Sequence, residues 1–407
     1  MFPRGACSPV VSKIGKRQRS LWSRLGCGGG FVFVCVLAYS QQYLANLPLD
    51  HPAIQYSAGD TNDAVARLIH RKFKPQFRGD GLGYLSGVLA ALGINADSQA
   101  LVFSKTSFQA ERISPRNPRA IYFNDDAAVG WVRGGAAMEV AAVDPRQGVV
   151  FYSFDSEGFH RQTVCLRCHV GAATQGVPGM FVGSVFPGMD GGADRTGAII
   201  TDDRTAFRDR WGGWYVNATH GEQPDRANGV ARDPAEPHHL NSHQNLATLT
   251  REFNTAGYLT PVSDIVALMT FEHQTQMTNY LTRVGWEARM GRNYDADLET
   301  LVRYMLFEDE APLAEPIEGV STFTKTFPQR GPCDRQGRSL RDFDLHTRLF
   351  RYPLSYMIYS AQFDALPDAV RDRIYHRLYE GLKGRRDILE ILRDTKPNLP
   401  AWFRSGI

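Results

Sequence analysis

Apolar and polar positions recur with two different periods along this chain. Between residues 63 and 92 the period is helical. Val65, Leu68 and Ile69 share one face of a short helix over 63–72, and Leu85 to Leu92 forms a second, more apolar helix. Beyond residue 100 the runs become short and β-type: Leu101–Phe103, Ala120–Phe123, Val129–Val132, Met138–Val143 and Val149–Phe154. Asn124-Asp125-Asp126, Gly134-Gly135 and Pro145 to Gly148 separate them, and such spacing predicts an antiparallel meander ending about ten residues before residue 165.

The helical period returns at Ser263, read as the cap of a helix running to about Met290. Ile265, Met269, Glu272 with His273, Gln276 with Met277, Tyr280 and Val284 lie on one stripe of it. Leu298–Phe307, Asp368–Leu382 and Arg385–Arg393 follow as further helices, with Pro367 at the start of one and Gly381 and Gly384 near its exit. The pattern predicts an α+β fold, mainly helical, with the β-meander in its first half. The expected regions are a leader (1–40), a region holding the meander (41–240) and a helical region packed on it (241–407). Gly221 to Asn241, with His238-His239, reads as a surface loop between the last two.

Chemistry enters at Cys165-Leu166-Arg167-Cys168-His169. Two cysteines three apart with a histidine directly after them are the spacing of covalent haem attachment. On one helical turn both thiols face the same way and can reach the two vinyl groups of a haem edge, while His169 offers its imidazole to the iron. A zinc site would need a second pair of ligands, and outside the leader only Cys333 remains, expected to be a buried free thiol. A redox dithiol would need a strand running straight into Cys165. The pentapeptide resembles the attachment motif of c-type cytochromes, which implies one covalent haem c held by Cys165 and Cys168 with His169 as proximal iron ligand.

The second axial ligand has several candidates. The glycine-rich loop from Gly171 to Gly192 carries Pro178-Gly179-Met180 and Pro187-Gly188-Met189. Met180 leads as distal iron ligand, because a thioether opposite histidine suits electron transfer; Met189 is its counterpart in the second turn. The same backbone could instead orient His169 through Nδ1. His220, and the pair His273 and Met277 on the long helix, are further candidates, with Glu272 available for proton chemistry. Trp211, Trp214 and Tyr215 read as an aromatic core cluster. Arg338, Arg341, Arg348 and Arg351 read as surface ion-pairing residues that could otherwise meet haem propionates.

Hairpins followed by the attachment motif resemble the layout of β-sheet c-type cytochromes whose haem is also tied to a lysine; Lys105 would stand in that place. Asn117 to Gly135, the haem region to Pro187, Trp211 to Gly221, Ser263 to Arg289 and Arg338 to Leu366 resemble a group of large exported bacterial proteins with one haem motif. That resemblance implies an exported haem protein.

The leader agrees with export. Residues 1–24 carry six basic and no acidic side chains, and uncharged Leu25 to Tyr39 follows, with Ala38-Tyr39-Ser40 as a cleavage site. The segment is expected to be a signal peptide cleaved after Ser40, or else a retained anchor at the inner membrane. It predicts a periplasmic protein matured by the cytochrome c maturation machinery and meeting a redox partner protein. Without the leader, 40 basic residues face 43 acidic ones, and no basic, aromatic-interleaved stripe remains for nucleic acid.

Expressed with maturation factors, the protein should give a haem-stained band on a denaturing gel, because thioether-bound haem survives unfolding. The band should vanish in Cys165→Ala/Cys168→Ala.

Overall fold

The computed structural model describes residues 45–193 and 198–405; the leader and its expected cleavage after Ser40 lie outside the described residues. Residues 43–407 form one unit. Among the described residues no helix is long and apolar enough to cross a membrane.

Helices α1 (Ala64–His70) and α2 (Leu85–Leu92) precede strands β1 (Ala100–Val102), β2 (Arg119–Phe123), β3 (Ala127–Trp131), β4 (Met138–Asp144), β5 (Gly148–Asp155) and β6 (Gly158–Arg161). A one-turn helix α3 (Leu166–His169), a hairpin of β7 (Val182–Ser184) and β8 (Ile199–Thr201), and β9 (Trp214–Tyr215) come next. The seven-stranded antiparallel sheet has the order β6-β5-β4-β3-β2-β1-β9, so β9 closes the far edge on β1. The 221–241 segment holds a small hairpin of β10 (Val230–Ala231) and β11 (Leu240–Asn241).

Side-chain chemistry sets the turns of the meander. Asn124 Oδ1 accepts from the backbone N–H groups of Asp126 and Ala127 between β2 and β3, and its amide donates to Leu92 O at the end of α2. Between β4 and β5, Asp144 Oδ1 accepts from the N–H groups of Arg146 and Gln147, and Gly148 takes the left-handed φ of +81°. Both faces of the sheet are covered. Tyr122, Val129, Val140 and Tyr152 pack with α1 and α2, while Ile121, Phe123, Ala128 and Phe151 pack toward the long helix α4 (Ile265–Arg289).

Helix α4 is buried around its whole circumference: every residue from Ile265 to Glu287 is shielded from solvent. The sequence stripe marks its apolar positions, but the polar ones are enclosed as well and find internal partners. Gln274 donates to Asn124 O and accepts from Tyr356, and Gln362 donates to Thr278 O and Thr282 Oγ1. Its cap is Asp264, not the expected Ser263. Asp264 Oδ1 accepts from Val266 N and Ala267 N, whereas Ser263 Oγ accepts from Leu101 N and ties the helix start to β1.

The remaining helices are α5 (Asp295–Met305), α6 (Phe323–Thr326), α7 (Ala361–Asp364), α8 (Asp368–Leu382), α9 (Arg386–Thr395) and α10 (Ala401–Ser405). The expectation of a mainly helical chain is overturned: helix accounts for 32% and strand for 16%, alongside the seven-stranded sheet. The shortfall lies between α5 and α7, where α6 is the one α-helix. Phe323, Phe327, Phe343, Phe350 and Tyr356 pack into a continuous aromatic cluster there. The backbone donors of that segment are taken by carboxylates. Asp334 accepts from Gln336 N and Arg338 N, and Asp344 from His346 N and Thr347 N. Such local side-chain bonds compete with helix, so aromatic density that reads as helical forms packed turns instead. Cys333 lies in this segment and is exposed, not buried as expected.

Asp264 also receives Val320 N and Ser321 N on Oδ2, so one buried carboxylate satisfies four backbone donors. Asp264→Ala should cost roughly 3–5 kcal/mol, more than loss of a helix cap alone, in urea unfolding.

Candidate functional site

The attachment motif lies directly after the sheet's edge strand β6. Leu166 N bonds to Thr163 O, Cys168 N to Cys165 O and His169 N to Cys165 O, closing one helical turn that carries both thiols. Cys165 is half-buried and packs on the core under the sheet, Cys168 is exposed, and both are free thiols. Burial pushes the Cys165 thiol above its usual pKa.

His169 is held from several sides. Its Nδ1 lies 2.8 Å from Gly179 O, so in the tautomer with the proton on Nδ1 it donates to that carbonyl and leaves the Nε2 lone pair free. Gly179 N donates back to His169 O at 3.0 Å, and Thr174 Oγ1 donates to the same oxygen. The rings of Phe151 on β5 and Phe181 flank the imidazole at 4.8 and 5.4 Å between centroids. Burial lowers the His169 pKa, which keeps the ring neutral, the form that binds a metal. The loop that supplies Gly179 turns at Gln175 (φ 59°) and Gly176 (φ 70°), where an added Cβ would press on Ala45 O at 2.7 Å.

A charge pair adjoins this turn. Arg119 on β2 reaches across β3 to Glu139 on β4 at 2.7 Å, lying over Gly130, where an added Cβ would come within 2.6 Å of its Nε. Both charges act on Cys165 and on His169. Ser107 donates to Glu139, and Lys105 pairs with Asp190 at 2.7 Å, tying the 188–192 turn to the chain just after β1. Lys105 is therefore already engaged by a carboxylate.

The candidates for a second ligand are spread apart. Met180 is 6% exposed and packs in the core with Val149, Phe151 and Val182. It follows directly on the carbonyl that faces Nδ1, whereas a ligand opposite His169 has to approach from the Nε2 side. Met189, by contrast, is 64% exposed on the turn held by Lys105 and Asp190. His220 is buried against Phe207 with Nε2 3.4 Å from Asp225. His273 is enclosed between the rings of Tyr304 and Phe307, at 5.2 and 4.4 Å, and its Nε2 is taken by Ser355 Oγ at 2.8 Å. With both ring faces stacked, it has no room for a porphyrin, and Met277 beside it is core.

Ser355, His273 and Asp203 line up in the order of a hydrolytic triad. The Asp203 contact is 3.8 Å, all three groups are buried, and Ser355 Oγ also caps Met357 N, so the arrangement is structural. The expected propionate partners are used elsewhere too. Arg338 pairs with Asp334 and Glu390, Arg341 with Asp125, and Arg348 with Glu310, while Arg351 lies over Tyr352. Trp211 and Trp214 are core residues whose indole N–H groups bond to Glu272 and to Gly183 O. His238 and His239 are exposed, one against Phe186 and the other near Glu236.

Sequence reasoning missed Phe151, Phe181, Arg119 and Glu139. The two charges are twenty positions apart, and only the pairing of β2, β3 and β4 shows that they share a face. Among the described residues no three His, Cys, Asp or Glu side chains gather at one point to hold a metal ion. A cleft of about 510 Å³ near Arg146 and Arg289 and another of about 540 Å³ near Phe77 and Trp131 include none of the motif residues. No protein-family model, curated protein or solved structure matches the chain.

Glu272, fully enclosed on α4, bonds to Arg210 at 3.2 Å and to the Trp211 indole at 3.1 Å. Burial outweighs Arg210 and pushes its carboxyl from 4.5 up to about 7. An acid that holds its proton more tightly when folded stabilises the fold fully below its unfolded pKa. It loses that contribution as pH rises to the folded value. The stability of wild type relative to Glu272→Gln should therefore fall by up to roughly 3 kcal/mol between pH 4.5 and 7 and stay level above, as read by urea unfolding at each pH.

Proposed function

We propose that this chain is an exported c-type cytochrome with one covalently attached haem that acts in electron transfer. The observation that carries the proposal is the combination at residues 165–179: two free thiols on one helical turn, and an imidazole whose Nδ1 lies 2.8 Å from Gly179 O while Nε2 stays available. That donor set fits haem c. Cys165 and Cys168 would hold it through thioether bonds, and His169 Nε2 would bind the iron. The haem supplies a one-electron couple at iron.

The surrounding residues have separate parts in this reading. Phe151 and Phe181 flank His169 and keep water from its ring. Gly179 O strengthens the imidazole as a donor by accepting from Nδ1–H, and so favours the oxidised iron. Cys168, exposed at the surface, places one attachment point at the edge where a redox partner protein can approach. Attachment would require the cytochrome c maturation machinery, and the leader would deliver the chain to the periplasm.

Met189, on a pinned turn with its thioether outside the core, would be available as a second ligand to the iron, whereas Met180 is enclosed in the core. A second reading, haem-based oxidation with an open distal site, is favoured by the Arg119–Glu139 pair, which would supply a polar acid-base group beside the iron.

Cyanide added to the oxidised protein and carbon monoxide added to the reduced protein separate the two readings. For an electron carrier the spectrum should hardly change, and Met189→Ala should make it respond. Prompt binding of either ligand by wild type would move the function to catalysis.

A further inference from the structure

Gly179 O can orient His169 only if the backbone around it is itself held, and the holding group comes from a residue a hundred positions away. Asn279, fully buried on α4, donates through Nδ2 to Met180 O at 2.8 Å and to Gln276 Oε1 at 3.2 Å. Both of those partners are acceptors, so the orientation of the amide is determined: Nδ2 faces them and Oδ1 faces the loop. Oδ1 lies so close to Gly179 that an added Cβ there would collide with it and would also meet Thr174 Cβ at 3.0 Å. Oδ1 has no hydrogen-bond donor.

A buried acceptor left without a donor costs roughly 1–3 kcal/mol, so helix packing alone would not favour an asparagine at this place. Its amide does reach the carbonyl of Met180, on the peptide next to the one that faces His169, while its Oδ1 packs against Gly179. One turn further along α4, Arg283 donates to Gln175 O at 2.9 Å and braces the start of the same loop. Gly179 does not have a left-handed φ, so what its missing side chain provides is the close approach of Asn279.

We infer that Asn279 is a positioning residue for the haem iron, acting through its hydrogen bond to Met180 O and its close packing on Gly179, which together hold the carbonyl that meets Nδ1 of His169. This rests on the covalent-haem reading. Loosening the peptide weakens the Nδ1–H···O bond, reduces electron donation from the imidazole, and makes the oxidised iron less favourable. The sign of the effect follows: losing the clamp raises the midpoint potential.

The test is a double-mutant cycle on the haem-loaded protein with Asn279→Ala, Gly179→Ala and both together, read by redox titration and by the NMR shift of the His169 Nδ1 proton in the reduced protein. Each single variant should raise the midpoint potential and move that proton upfield. The double variant should fall short of the sum, because the alanine methyl at 179 fits once the amide is gone. Additive shifts, or variants that lose thermal stability with potential and proton shift unchanged, overturn the inference and leave Asn279 a packing residue.

If the protein carries no haem, the covalent-haem reading fails separately. The clamp is then decided on the same variants by the nitrogen-15 shifts of the His169 ring. The wild-type ring should be held with its proton on Nδ1 and should become a mixture of tautomers in Asn279→Ala. An unchanged tautomer overturns the clamp in that form too.

Discussion

A long helix enclosed on every side has to draw the partners of its polar side chains from protein groups, and that constraint on α4 organises the rest of the molecule. Water is not available to Glu272, Gln274, Asn279 or Arg283, so strands, loops and the C-terminal segments come to them. Gln274 reaches the β2–β3 turn, Glu272 the Arg210–Trp211 segment, Asn279 and Arg283 the loop after the attachment motif, and Arg283 also Asp297 on α5. The helix start is bound in the same way. Asp264 caps α4 and gathers the 320–321 backbone, and Ser263 is tied to β1.

The attachment turn sits where two of these supports meet. The sheet supplies Phe151 and the Arg119–Glu139 pair, and α4 supplies the groups that hold the 175–180 loop against His169. A short turn of helix such as 166–169 has little stability of its own. Its position is set by reciprocal bonds, Gly179 N to His169 O and His169 Nδ1 to Gly179 O, and by a loop fixed at both ends. Pro178 restricts the backbone of that loop, and the bonds at both of its ends hold it in one arrangement.

Charge follows the same division. Near the Cys165–His169 turn the charges Arg119 and Glu139 are partly exposed and paired across β3. Deep under α4 they are enclosed, and Glu272 holds its proton to about pH 7 because burial outweighs its arginine. The cluster of Asp203, His273, Tyr304 and Ser355 belongs to this interior, where the histidine is stacked on both faces and serves packing.

Local chemistry made part of this molecule legible from residues alone. The strands β1–β5 follow from short β-type runs between turn-forming residues, and α2 and α8 from apolar positions at helical spacing, because periodicity reports which face is buried. The spacing of Cys165, Cys168 and His169 brings the thiols and imidazole onto one turn wherever that turn sits, and Gly179 lies close enough in sequence for its role toward Nδ1 to be anticipated. Tertiary structure decided the rest. Helical content was overestimated because aromatic-rich stretches between α5 and α7 satisfy their backbone through carboxylates instead of forming helices. The positions of Met180, His220 and His273 relative to His169, and the meeting of Arg119 with Glu139 and of Asn279 with Gly179, depend on pairings between segments distant in the chain. No local period encodes them: strand pairing brings Arg119 to Glu139, and the enclosed helix brings Asn279 to Gly179.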